Sequence, residues 1–379
     1  MFTPDTNDSI DPSANLRGFV DPASHRILTV METVQGKYIT SPLDKTLMEA
    51  FNRLVVHAGM RENIRKPHAR TNRREGRLLV LTGPSGAGKT RSLIRTIRRH
   101  PAIEGQSPET PDSPVTIVTV TSPCTLKQLG RDTLHAVGYP LQRDLREHQT
   151  WELVRNQLNL GSKIILVYDE MQHITQAANV AEQQKVANTL KDLLINRQWR
   201  LSIVVCGLPS VAAFIRSDKQ LERRARFLEI KPLRMPTDNP IVADMVTLLA
   251  GFADLTVDDD LETDLAPRLI HAASYLFGVA IEITHEAIET ALAPAYLKLG
   301  QDEDNGDVHP AAVTPSNGRL TLDHFARALE ARLGCTDDEN PFISRDWVMT
   351  LAPTPVMAPS PKPKTRRSQA KSGAEEAGR

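Results

Sequence analysis

Gly83-Pro84-Ser85-Gly86-Ala87-Gly88-Lys89-Thr90 decides how this chain is read. The stretch satisfies GxxxxGK[ST] at every constrained position. It lies between a short apolar strand, Leu78 to Leu81, and a helix expected over 89–99. Glycines in such a turn let backbone N–H groups point inward around phosphate oxygens, at the positive end of a helix. Lys89 then faces the β- and γ-phosphates of a nucleoside triphosphate, and Thr90 offers its hydroxyl to Mg²⁺. A purely structural Gly-rich turn needs neither side chain. The ATP-binding set is therefore read as Gly83, Pro84, Ser85, Gly86, Ala87, Gly88, Lys89, Thr90 and Arg91.

Outward from this loop, strands and helices alternate. Val115 to Val120 is a β-branched strand, and Leu126, Leu129, Leu134 and Val137 mark a helix. A third strand covers 163–168, and Val186, Ala187, Leu190, Leu193 and Leu194 mark a third helix before a fourth strand at 201–206. Such alternation implies an α/β fold with a parallel sheet covered on both faces. Upstream, Ser41-Pro42 looks like a helix start, followed by apolar spacing through Ala58. From about Pro236 only helical periodicity remains, near 240–252, 262–275, 279–293 and 321–333, with a polar loop at 300–318. The expected organisation is a flexible arm (1–40), a nucleotide-binding α/β domain (41–235), a small helical lid (236–335) and a partner-binding or disordered, basic, Pro-rich tail (336–379).

The hydrophobic run Ile164 to Tyr168 ends in Asp169-Glu170. A buried strand delivering a carboxylate to its C-terminal edge suits Mg²⁺ coordination by Asp169. Glu170 is placed to polarise an attacking water as general base. The second carboxylate favours hydrolysis over transfer to a small molecule. Arg223, Arg224 and Arg226 follow the fourth strand, where an arginine is able to reach a neighbouring subunit's γ-phosphate. Spacing does not choose among these three arginines as a catalytic finger, and a solvated basic turn is the alternative.

These residues together resemble an AAA+ ATPase, and more narrowly the TniB/TnsC-type transposition ATPases. Arg77-Leu78-Leu79-Val80-Leu81-Thr82-Gly83-Pro84-Ser85 is similar to that group's RxLLLxGxSGxGKT start. Pro123 follows the second strand as in the group, and Asp169-Glu170-Met171-Gln172-His173 is similar to its DE-x-H step with one residue added. The resemblance covers roughly 40–335. It implies an ATP-bound homo-oligomer, ring or helical filament, that assembles on duplex DNA, marks a target, and communicates with a transposase and a target-selecting protein. ATP hydrolysis would drive disassembly. Two departures stand out. Cys206-Gly207-Leu208-Pro209-Ser210 has no Asn at the first-sensor place, with Ser210 a weak substitute, and Gly278-Val279-Ala280-Ile281 lacks the lid arginine. Both fit a slow switch better than a motor, and turnover stimulated by DNA is expected.

Net charge is +0 over 379 residues, but it is unevenly spread. Residues 61–100 hold twelve Lys/Arg against two Glu, while 251–310 hold two against thirteen acidic residues. Such separation suits one polyanion-attracting surface. Arg91, Arg95, Arg98 and Arg99 share a helix face, and the loop 61–77 adds seven cations, including Arg73 and Arg74. Lys127 and Arg131, one turn apart, lie where the resemblance places DNA contacts. A solubilising face is the alternative reading of each stripe. No aromatics interleave, so backbone contacts to duplex DNA with little sequence preference are expected. Asn340-Pro341-Phe342 and Trp347 are read either as partner hooks or as points docking back on the lid.

Composition excludes other classes. Hydrophobic residues are 40%, charged 24% and aromatic 4%, so an aliphatic globular core is expected. No apolar run approaches the ~20 residues that span a bilayer, and residues 1–18 lack a signal-peptide pattern. Three cysteines without a CxxC pair argue against a disulfide scaffold or zinc ribbon. A soluble, cytoplasmic protein without a membrane partner is expected. The competing functions are a helicase-loader-type AAA+ factor and a nucleotide-gated signalling scaffold with little turnover.

Overall fold

Strand β1 (Leu78–Thr82) is buried at all five positions, as its unbroken apolar run requires of a strand covered on both faces. Its side chains alternate between two cores. Leu78 and Val80 pack with Leu166, Tyr168, Ile203 and Val205, and Leu79 and Leu81 with Phe51, Leu93, Val167 and Val204. The remaining strands are β2 (Val115–Thr119), β3 (Ile165–Asp169), β4 (Ser202–Gly207) and β5 (Ala225–Glu229). They form one parallel sheet in the order β2-β3-β4-β1-β5. All five C-terminal ends share one edge, and the loops after β1 and β3 open there across the end of β4. The computed structural model describes residues 22–350 apart from 70, 104–107, 109, 111, 178, 198, 258–259 and 303–317.

The helices in chain order are α1 (Pro22–Gly36), α2 (Pro42–Ala58), α3 (Lys89–Arg98), α4 (Leu126–Ala136), α5 (Glu147–Leu160), α6 (Gln172–Ala177), α7 (Val180–Ile195), α8 (Pro209–Ser217), α9 (Lys219–Arg224), α10 (Asn239–Gly251), α11 (Ala266–Ala272), α12 (Phe277–Asp302) and α13 (Leu322–Leu333). At the start of α2 the Ser41 N–H donates to Asp44 Oδ2 at 2.6 Å, and Leu47, Phe51 and Leu54 face the sheet. Helices α10–α13 bury a third core that includes Val246, Leu269, Ile283, Ala287, Phe325 and Leu329. The stretch expected as helix 262–275 is a π-turn, Leu261–Leu265, running into the shorter α11. Of the polar loop expected at 300–318, α12 takes the first residues and 303–317 lie outside the described set.

The reading of 1–40 as a flexible arm is corrected for its second half. Helix α1 carries Met31 and Val34 at helical spacing, and both are buried in the lid core together with Ile39. Residues 1–21 are outside the described residues. The loop 61–77 has no helix, as expected, but it is built around a buried residue. Asn72 is 7% exposed, its side-chain amide donates to Asn63 O and Pro67 O at 3.0 and 2.9 Å, and Arg61 and Arg73 form a single antiparallel bridge.

The tail also departs from expectation as far as Thr350. Asn340 Nδ2 donates to Ala326 O at 2.9 Å, and Phe342 packs on Phe325. Arg268 donates to Pro341 O and Ser344 O at 2.7 and 2.9 Å, and Trp347 sets its ring edge-on to His271. Between the two readings of these apolar points, the segment docks back on the lid. Residues 351–379 lie outside the described set. Among the described residues no helix is long and apolar enough to cross a membrane.

Candidate functional site

Between β1 and α3 the chain turns through Gly86 and Gly88, with φ of +76° and +82°. This left-handed region is costly for side-chain-bearing residues, so the motif's glycines are required by the turn itself. Gly88 is the N-cap of α3, and the first-turn N–H groups of a helix have no intrahelical acceptor. They ring a space fit for an anion. Helix α12 approaches this loop at Gly278, where an added Cβ would lie 2.1 Å from Gly86 O. Only glycine permits that approach of α12.

Lys89, 7% exposed, folds along the loop and donates to Gly83 O and Pro84 O at 3.0 and 2.7 Å. Burial pushes its ammonium below the ordinary lysine value, against the opposing carboxylates of Glu170 and Asp169. Thr90 Oγ1 donates to Asp169 Oδ2 at 2.7 Å. Asp169 Oδ1 accepts the Glu170 N–H at 2.9 Å. Burial raises the Cys206 thiol well above its usual value, with Asp169 adding to the effect.

The hydroxyl and the carboxylate are hard oxygen donors on neighbouring elements, a set that fits Mg²⁺ with phosphate and water completing its shell. Among the described residues no group of three or more His, Cys, Asp or Glu side chains is able to hold a metal ion by itself.

Glu170 has φ +58°, which carries the chain sharply from β3 into α6. It borders a cleft of about 320 Å³ that is also lined by Gly86, Lys89, Tyr38, Phe277, Ile281 and His285. One wall is therefore the α1–α2 linker and another is the lid helix α12. Ile281, where an arginine was sought, lines this cleft. Ser210, the weak first-sensor substitute, instead shares a 3.1 Å hydrogen bond with Thr175.

Residue 172 is one that sequence reading passed over. Gln172 Nε2 donates to Glu170 Oε2, and its Oε1 accepts the Leu208 N–H at 3.2 Å. His173, the histidine matched to the DE-x-H step, turns away and pairs with Val120 O at 2.8 Å. The available signal was a glutamine set between Met171 and Ile174, both fully buried.

The basic stripe on α3 is divided. Arg91 lines the cleft and donates to Gln35 O and Lys37 O at 2.7 and 3.0 Å. Arg95 stacks over the Tyr38 ring at 3.8 Å, and burial raises that phenol to about 12. These two arginines fasten the α1–α2 linker to the sheet domain, while Arg98 and Arg99 face solvent at the helix end. Lys127 and Arg131 both pair with Asp144, at 2.7 and 3.4 Å, and the Lys127 hydrogen bond holds that carboxyl below its usual value. Arg73 lies over the Trp199 ring at 4.3 Å, and Arg74 borders a shallow cleft with His57, Glu62, Glu75 and Arg77. Helix α4 begins at the C-terminal edge of the sheet, whereas α3 ends at the opposite edge. The expected DNA contacts thus fall on two separate regions.

Arg223 and Arg224 close α9 just ahead of β5, whose first residue pairs with Leu78. Their edge is the one opposite the phosphate loop, about five residues or roughly 16 Å away along β1. Arg224 is occupied: it donates to Gln220 O at 3.0 Å and pairs with Glu75 at 2.9 Å, with a 10% exposed side chain. Arg223 is exposed and has no partner among the described residues. It borders a cleft of about 300 Å³ with Arg53, Arg77 and Arg226.

Residues 48–235 match the family described as Bacterial TniB protein. No curated protein matches the sequence. Among solved structures, Cdc6p from Pyrobaculum aerophilum superposes with a TM-score of 0.51 at 12% identity, over 81% of this chain and 72% of that one. The Aeropyrum pernix ORC1 protein in complex with DNA gives 0.49 at 15% identity, over 82% and 70%. The 12% identity with Cdc6p speaks to the fold alone.

Proposed function

We propose that this chain, whose residues 48–235 belong to the bacterial TniB family of AAA+ ATPases, is an ATP-dependent regulator of DNA transposition. It assembles as a homo-oligomer on duplex DNA, marks the target there, and engages a transposase and a target-selecting protein. The observation that carries the enzymatic part is the 2.7 Å contact between Thr90 and Asp169 beside Glu170, at the mouth of the cleft.

The loop N–H groups and Lys89 would hold the triphosphate, Lys89 exchanging its two carbonyl acceptors for phosphate oxygens. Thr90 and Asp169 would hold Mg²⁺, which supplies charge neutralisation on the β- and γ-oxygens. Glu170 would take the proton of the attacking water. Arg223 is the better candidate for the finger acting on a neighbour's γ-phosphate, because Arg224 is already paired with Glu75. Neither arginine is near its own loop, so the site would be complete only between subunits.

Ile281 in the cleft and Ser210 bound to Thr175 favour slow turnover. The same two observations support the second reading, a nucleotide-gated scaffold. ATP hydrolysis by the purified chain, with and without duplex DNA, separates the two. Turnover that rises with DNA and vanishes when Mg²⁺ is chelated is expected. ATP binding with no hydrolysis in either condition would leave the scaffold.

A further inference from the structure

The end of β4 lacks the asparagine sought at the first-sensor place, yet the space there is filled. Gln172, 7% exposed, enters it from the first position of α6. Its carbonyl oxygen accepts the N–H of Leu208, the first residue beyond β4, at 3.2 Å, and its amide nitrogen donates to Glu170 Oε2. Gly207 leaves the room, since a Cβ at that position would lie 2.4 Å from Gln172 Oε1. One buried amide therefore ties the exit of β3 to the exit of β4, and both its ends are satisfied.

We propose that Gln172 is a positioning residue for hydrolysis, holding the Glu170 carboxylate at the end of β4 in the place of the missing first sensor. The inference rests on the reading of Glu170 as general base. A glutamate side chain has three rotatable bonds, and its carboxylate abstracts a proton only within hydrogen-bond reach of the water. An amide anchored to the backbone at Leu208 restrains one carboxylate oxygen of a residue that lines the cleft. Misplacement of a reacting group by about 1 Å can cost on the order of 10²-fold in rate.

The test compares steady-state ATP turnover on duplex DNA, and affinity for a fluorescent ATP analogue, in five proteins. These are wild type, Gln172→Leu, Gln172→Glu, Glu170→Gln and the Gln172→Leu/Glu170→Gln double variant. Gln172→Leu loses both hydrogen bonds, while Gln172→Glu keeps the acceptor for Leu208 and loses the donor to Glu170. Each is expected to lower kcat about tenfold to a hundredfold with analogue affinity within about twofold of wild type. Retained affinity shows that each variant has folded. The double variant should turn over no more slowly than Glu170→Gln alone, because a residue acting through Glu170 has nothing left to act on. Wild-type kcat in both glutamine variants, or a double variant showing the product of the two single losses, overturns the proposal. Turnover that survives Glu170→Gln undiminished overturns the reading of the base, and the proposal with it.

Discussion

Thr90 Oγ1 and Asp169 Oδ2, 79 residues apart in sequence, meet at 2.7 Å. The contact joins the first turn of α3 to the last residue of β3, across the end of the intervening β4. It brings the turn 83–90 and the acidic end of β3 together, and the predictions start from it.

Lys89→Ala removes the buried cation facing the loop. A charge-assisted contact of this kind is worth about 1.5–3 kcal/mol, so ATP affinity should fall roughly 10- to 150-fold. Isothermal calorimetry checks it, and undiminished binding would refute the assignment of the loop.

Glu170→Gln keeps size and shape but removes the base. Binding should persist while kcat falls by about 10²- to 10⁴-fold, and the ATP-bound assembly should accumulate on DNA. Unchanged turnover would place the base elsewhere.

Gly278→Ala should hurt and Gly251→Ala should not. A Cβ at Gly278 meets Gly86 O at 2.1 Å, whereas one at Gly251 meets nothing within 4 Å. Overpacking of this kind typically costs about 1–3 kcal/mol. Thermal unfolding should show that loss at Gly278 with weaker ATP binding, and no loss at Gly251. Equal behaviour would mean that the lid does not seat on the loop.

DNA binding should weaken linearly in log–log plots against salt, as counterion release requires. Lys127→Ala should reduce the slope by about one if α4 meets the backbone. Asp144→Ala, which frees both Lys127 and Arg131, should tighten binding. Fluorescence anisotropy over a salt series decides it; indifference to both substitutions would remove α4 from the interface.

The phosphate loop, the acidic strand and the parallel alternation were legible because each is local. A motif at fixed spacing, a run of five apolar residues and helical spacing of about 3.6 residues per turn need no partner to be seen. What was not legible depended on which distant groups meet. Arg95 belongs to a basic stripe in sequence, but only the fold brings Tyr38 beneath it. Arg224 and Arg223 are equivalent by spacing, and only the fold gives Arg224 its partners Glu75 and Gln220 O while leaving Arg223 exposed. Residues 22–40 looked like an arm because the lid core that buries Met31 and Val34 is assembled mostly from residues about 200 or more positions away. Gln172 was hidden for the same reason, since Leu208 reaches it only through the pairing of β3 with β4.

The central claim is that the site is completed between subunits, and a mixing experiment tests it most directly. Lys89→Ala protein binds ATP weakly in its own site but carries an intact Arg223. Arg223→Ala protein has the reverse defect. Mixed on duplex DNA, the two should recover ATP turnover that neither shows alone, and Arg224→Ala alone should keep most of its turnover, with its loss of the Glu75 pair felt mainly in stability. Absence of any recovery, with Arg223→Ala as active as wild type, would contradict the account.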